Sequence, residues 1–150
     1  MSPLTTNNSL IQLTFDECSL SIDDFRQIAR IPNLIRVLFL DCDFFPQSLA
    51  ELSNSKSIRD IDIKGGDDNG KVKLNLSILK KLSHIRTIAS MDFEECIFPS
   101  YWEPAFTDGF QNLVDVNLSD CNLTDEEVRE MLIKREGNNL GGIDWAHNYI

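Results

Sequence analysis

At 150 residues, 42% of them apolar, the chain is long enough for one domain with its own core and too apolar to be disordered as a whole. Asp and Glu outnumber Lys and Arg by 24 to 14, a net charge of −10, which argues against nucleic acid as the main partner because phosphate contacts need clustered cations. No apolar run approaches the ~18 residues of a membrane-spanning helix. The start MSPLTTNNS lacks a secretory signal, so the four cysteines are expected to be free thiols in a reducing, cytoplasmic setting.

In chain order, a polar lead-in (1–9) precedes the segment LIQLTFDECSL (10–20). Ser21-Ile-Asp-Asp24 then starts a helical stretch with Phe25, Ile28, Ala29 and Ile31 on one face. LIRVLFLDCDF (34–44) follows, with a short helical piece over Leu49–Leu52. IRDIDIKGGDD (58–68) runs into the Gly/Asp/Asn-rich loop KGGDDNGKVK (64–73), and Leu74–Leu82 reads as helix. The cluster Asp67-Asp68-Asn69-Gly70 hints at calcium but lacks the alternating ligands and distal Glu of an EF-hand, which favours a turn.

IASMDFEECIF (88–98) is followed by a return, FPSYWEPAFTDGF, that Pro99 and Pro104 make irregular. LVDVNLSDCNL (113–123) leads into a capping box, Thr124 to Glu127, then Val128, Met131 and Leu132 at helical spacing, with Gly137 as the stop. LGGIDWAHNYI (140–150) is the last segment.

These six segments are copies of one another, starting 24, 24, 30, 25 and 27 residues apart. Each is apolar at its first, fourth and sixth residues, and alternation such as Val116–Asn117–Leu118 marks a strand with one buried face. The ninth residue is Cys18, Cys42, Gly66, Cys96, Cys121 and Asn148 in turn, and the eleventh is apolar except at Asp68. The pattern resembles the leucine-rich repeat family, LxxLxLxx(N/C)xL in repeats of about 20–29 residues. The ninth-position cysteines are most similar to its cysteine-containing and ribonuclease-inhibitor-like branches.

The resemblance covers 10–150. It implies one α/β domain over 1–150: a right-handed, curved solenoid of about six repeats with a parallel sheet on its concave face and short helices or turns on the convex one. It also implies that the cysteines are buried and hydrogen-bonded to backbone groups of the turn. Catalysis would need a base partner and a lowered pKa, and zinc would need CxxC spacing, neither of which is present. Stacked thiols on neighbouring strands leave Cys18–Cys42 and Cys96–Cys121 disulfides geometrically open.

The third, fifth, seventh and eighth residues of each segment are expected on the concave face. Eleven of these positions are acidic: Asp16, Glu17, Asp41, Asp60, Asp62, Asp92, Glu94, Glu95, Asp115, Asp120 and Asp144. Only Arg36, expected beside Asp60, and Lys64, expected beside Glu94, are basic, so the face carries −9 of the chain's −10. Asp is disfavoured in strands and like charges on neighbouring strands repel, as Asp62 and Asp92 should. The face is therefore either a solvated surface that keeps the chain soluble or a docking surface for a basic protein. Asn117 lies on it too, and Leu38 and Leu40, expected exposed, would add an apolar patch, or else pack against a neighbouring loop.

The leading expectation is a non-enzymatic protein-binding module, an adaptor or an inhibitor/immunity-type protein, without cofactor or metal. Self-association through uncapped solenoid ends, near Trp145 and Tyr149, is the alternative. Acid–base or metal chemistry at paired carboxylates such as Asp62 and Asp92 is a third possibility, disfavoured on a shallow sheet surface.

Overall fold

A computed structural model of the protein describes residues 5–65 and 71–143. Its strands are β1 (Gln12–Asp16), β2 (Ser19–Leu20), β3 (Arg36–Leu40), β4 (Asp43–Phe44), β5 (Asp60–Lys64), β6 (Ser90–Asp92) and β7 (Asp115–Asn117). Helices α1 (Ile22–Ala29), α2 (Leu76–Ser83), α3 (Glu103–Thr107) and α4 (Asp125–Gly137), with a 3-10 run over Pro46–Asn54, connect them. The fold is α/β. Five strands form an open parallel sheet in the order β1-β3-β5-β6-β7, while β2 and β4 pair separately just past the ends of β1 and β3.

Parallel neighbours require a crossover between them, and the crossover lengths are those of the sequence segments. Gln12 faces Arg36, Arg36 faces Asp60, Asp60 faces Ser90 and Ser90 faces Asp115. Each segment's third residue is thus level with the next one's, and the longer third crossover is absorbed without a slip. Of the sixth segment, residues 140–143 form no strand, and Asp144, Trp145, His147, Asn148 and Tyr149 lie outside the described residues, as do Gly66 and the Asp67–Gly70 cluster.

Alternation along the strands decides what is buried. Val37, Phe39, Ile61, Ile63, Met91, Phe93, Val116 and Leu118 point inward and are at most 1% exposed. They share one core with Phe25, Ile28, Leu49, Leu52, Ile78, Leu82, Phe106 and Met131 from the returns. The expected capping box of Thr124 with Glu127 forms, and Ser21 makes a second one with Asp24 at the start of α1. Asn75 caps α2, so that helix begins at Leu76 and not at Leu74. Pro104 falls in the first turn of the five-residue α3, where a missing N–H costs nothing. Among the described residues no helix is long and apolar enough to cross a membrane.

Two devices escaped the motif reading. The residue just before each of the second to fifth segments donates from its side chain to a carbonyl one turn back: Asn33 to Asn8, Ser57 to Leu34, Thr87 to Ile58 and Asn112 to Arg86, at 2.6–2.7 Å. The second device is Arg135, fully buried in α4. Its guanidinium donates to five carbonyls, those of Phe106, Gly109, Phe110, Leu113 and Gly141, at 2.6–3.2 Å. All five donors of the group are thereby used, and burial lowers its pKa.

Candidate functional site

The sheet face turned away from the helices carries the expected carboxylates, and the structure divides them into two sets. Across the middle of the face the acids are engaged. Asp62, 15% exposed at its side chain, accepts from Arg36 Nη2 at 2.6 Å. This corrects the expected pairing: Arg36 is level with Asp60, yet its long side chain reaches diagonally to Asp62. Lys64 and Glu94 pair as expected, at 3.2 Å, and that contact raises the pKa of Lys64.

Asp62 and Asp92 are direct neighbours. Asp92 is half-buried; one of its oxygens accepts from the N–H of Glu94 at 2.9 Å and the other from the Asn117 amide at 3.3 Å. Burial pushes the Asp92 carboxyl up; those two hydrogen bonds oppose the shift, and Asp62 and Glu94 add to it. Burial also raises Asp60, against the pull of Arg36. Asn117 closes the same turn on β7, accepting from the N–H of Ser119 at 2.9 Å. Both strands stop at three residues because a side chain takes the N–H that would extend the ladder.

The second set lies where the strands end. Glu17, Asp41, Gly65, Glu95 and Asp120, the eighth residues of their segments, all have left-handed backbones, with φ of 52, 49, 71, 63 and 56°. The N–H groups of Glu17, Asp41 and Glu95 still bond the next strand, to the carbonyls of Leu40, Lys64 and Ser119 at 2.9 Å. Among the described residues their carboxylates accept no main-chain hydrogen bond, and they stand at the rim. Glu17, Asp41 and Asp120 are exposed, as are Asp16 and Asp115, and none of these five is in an ion pair among the described residues. Gly65 holds its place in this row, at φ 71°, without the Cβ that strains its non-glycine counterparts; a Cβ there would press only on the exposed carboxylate of Asp41, which can turn aside.

Glu94, Glu95 and Asp120 bring one carboxylate oxygen each within 4.8 Å of one another, an all-oxygen set suited to an ammonium, a guanidinium or a hard metal ion. Leu38 and Leu40 are half-buried on this face and not exposed, a correction to the apolar patch expected there. At the opposite ends of the strands the charge reverses. Arg30, Lys56, Arg59 and Arg86 are exposed in the turns that precede β3, β5 and β6, and a cavity of about 340 Å³ between Arg59 and Arg86 is lined by Thr87, Ala89 and Asn112.

The cysteines lie behind this rim, and all four are free. Cys42 Sγ donates to the carbonyl of Phe15 at 3.2 Å and Cys121 Sγ to that of Phe93 at 3.0 Å, each reaching back to the previous strand. Cys18 and Cys96 contact the carbonyls of Asp16 and Glu94. Burial raises the thiol pKa of Cys42 and Cys96 and pushes Cys121 up to about 11. These three therefore stay protonated at neutral pH, the reverse of what a nucleophile needs.

Comparison of the sequence with protein-family models and with curated proteins finds no match.

Proposed function

We propose that the chain is a non-enzymatic binding module, a leucine-rich-repeat-like solenoid of about six repeats, that docks a basic protein on the acidic rim at its strand ends. The solenoid reading is supported by the register, in which every strand offset equals a sequence spacing. One observation carries the docking reading: Glu17, Asp41 and Asp120, three of the five exposed acids of the face that are in no ion pair among the described residues, stand in one row of left-handed turns, while Asp62, Asp92 and Glu94 are engaged by Arg36, turn hydrogen bonds and Lys64. Asp is disfavoured in strands, and left-handed Glu costs conformational energy that Gly would avoid. A solvated surface does not call for that placement.

The cations at the opposite strand ends make the charge distribution polar along the strands, which orients an approaching partner as well as attracting it. Beside Glu94, which Lys64 already holds, and near Lys71, which donates to the Asp120 carbonyl at 2.6 Å, the carboxylates of Glu95 and Asp120 would receive one Lys or Arg of that partner. Asp62 and Asp92 are poor positions at which to test this, because their side chains already serve the fold.

The experiment compares two variants of equal net charge by anisotropy of a labelled poly-lysine peptide. One carries Glu17→Lys, Asp41→Lys and Asp120→Lys at the rim; the other carries Glu126→Lys, Glu130→Lys and Glu136→Lys on the exposed side of α4. The rim variant should lose at least about tenfold in affinity and the helix variant far less. Equal losses would mean that net charge alone draws the peptide and that the rim is not a site.

A further inference from the structure

The structure carries an inference about its first strand that is independent of the acidic rim. β1 is an edge: among the described residues, no strand pairs with its far side. Equivalent positions show which of its main-chain groups are left over. Arg36 N–H donates to Ile11 O, and Leu40 O accepts from Glu17 N–H. The matching groups on β1, the N–H of Gln12 and the carbonyl of Asp16, point the other way, and so by the two-residue period do those of Thr14. Among the described residues the Asp16 carbonyl meets only the weak donor Cys18 Sγ, at 3.3 Å.

The side chains are unfinished in the same direction. Leu13 and Phe15 hold the positions of Val37 and Phe39 yet are only half-buried. The strand, QLTFD, contains no Pro or Lys of the kind that guards exposed edges.

We propose that β1 pairs antiparallel with β1 of a second copy of this chain, about a twofold axis at Thr14. That register sets Thr14 against Thr14 and Gln12 against Asp16 of the second copy. These are the residues with outward main-chain groups, so about six hydrogen bonds can form. On the core side Leu13 meets Phe15 of the second copy and each covers the other. On the outer side the Gln12 amide faces the Asp16 carboxylate. A register centred on Asp16 would instead set like charges opposite each other. The pairing is isologous, so it closes at a dimer and joins two sheets into one.

Two chains of −10 repel at long range while the contact itself is apolar and main-chain, so salt should tighten the dimer, whereas it should weaken capture of a basic partner by the rim. The test is sedimentation equilibrium of the full chain alone, from about 5 µM to about 0.5 mM. The expected result is a monomer–dimer equilibrium that shifts toward dimer at higher salt. Thr14→Pro should abolish it with the circular dichroism spectrum unchanged, because the Thr14 N–H makes no bond to β3 and proline is tolerated at such an edge. Thr14→Lys, which sets two ammonium groups at the axis, should weaken the dimer by at least about tenfold and decides the matter if the proline variant fails to fold. A wild-type chain that stays monomeric throughout, a dimer that salt weakens, or a dimer that persists in a folded Thr14 variant would each overturn the proposal. No basic partner is present, so none of these outcomes bears on the rim.

Discussion

Arg36 lies level with Asp60 but donates to Asp62, two residues further along β5, at 2.6 Å. The diagonal choice places the cation where charge is most crowded, since Asp62 is itself level with Asp92. It also raises the Arg36 pKa, chiefly through the hydrogen bond and the charge of Asp62.

Arg36→Gln should therefore cost more than an ordinary surface ion pair. The pair alone is worth little, because 43% of the Arg36 side chain is exposed and solvent screens it. The added cost comes from Asp62, left 85% covered beside Asp92 with no cation, and the total should be about 1–2 kcal/mol in urea unfolding. Arg36→Gln combined with Asp62→Asn should recover most of the loss. A double variant no more stable than Arg36→Gln alone would show that the ion pair does not neutralise this row.

The raised carboxyls give the fold a definite pH response. Asp92 and Asp60 sit above their ordinary values because they are buried, so between the unfolded and folded pKa values the native state holds more protons. Stability from these groups is full below the unfolded value and falls as pH rises through the folded one. These two groups should accordingly raise the melting temperature as pH is lowered from neutrality toward the ordinary carboxylate range. Asp92→Asn keeps the acceptor for the Glu94 N–H, so it should be at least as stable at pH 7 and show a flatter profile.

The left-handed row separates stability from binding. Glu95→Gly removes a Cβ from a strained backbone and should stabilise the fold by up to about 1 kcal/mol while weakening poly-lysine capture. Gly65→Ala should do the opposite to stability, with a loss of about 1 kcal/mol from the left-handed backbone, the exposed Asp41 carboxylate turning away from the added Cβ. Chemical denaturation of the two variants checks both signs.

Arg135 ties α4 to the return that precedes β7. Arg135→Met removes the donors of five carbonyls in a buried setting and should cost about 3–5 kcal/mol. Arg135→Lys should also be strongly destabilising despite keeping the charge, because an ammonium is a compact three-donor group and cannot span the same fork. A lysine variant of wild-type stability would mean that charge and not geometry matters at this site.

Much of this architecture was legible in the chain because it depends on short-range patterns. Two-residue alternation marks the strands, Ser21 and the Thr124 capping box start helices, and the repeat spacing predicts the register to the residue. The thiols were legible too, since a cysteine recurring at one position next to carboxylates lacks any base to activate it. The buried role of Arg135 was not, because an arginine at an exposed-looking helical spacing is recognisable as buried only when the carbonyls of residues 106–113 are brought around it. The side-chain ladder of Asn33, Ser57, Thr87 and Asn112 did leave a signal, a small polar residue just before each segment, outside the window of the motif.

What the sequence by itself determined was which residues face in, which face out and which strand neighbours which, because periodicity and spacing are local properties of a chain. Which carboxylates remain free was decided only by the tertiary structure. Asp62, Asp92 and Glu94 read like Glu17, Asp41 and Asp120 in one dimension, yet the first three are engaged by Arg36, by turn hydrogen bonds and by Lys64, and the others stand at the rim. The difference lies in which cation can reach diagonally across a sheet and which backbone turns left-handed at its end, and both follow from the geometry of packed strands.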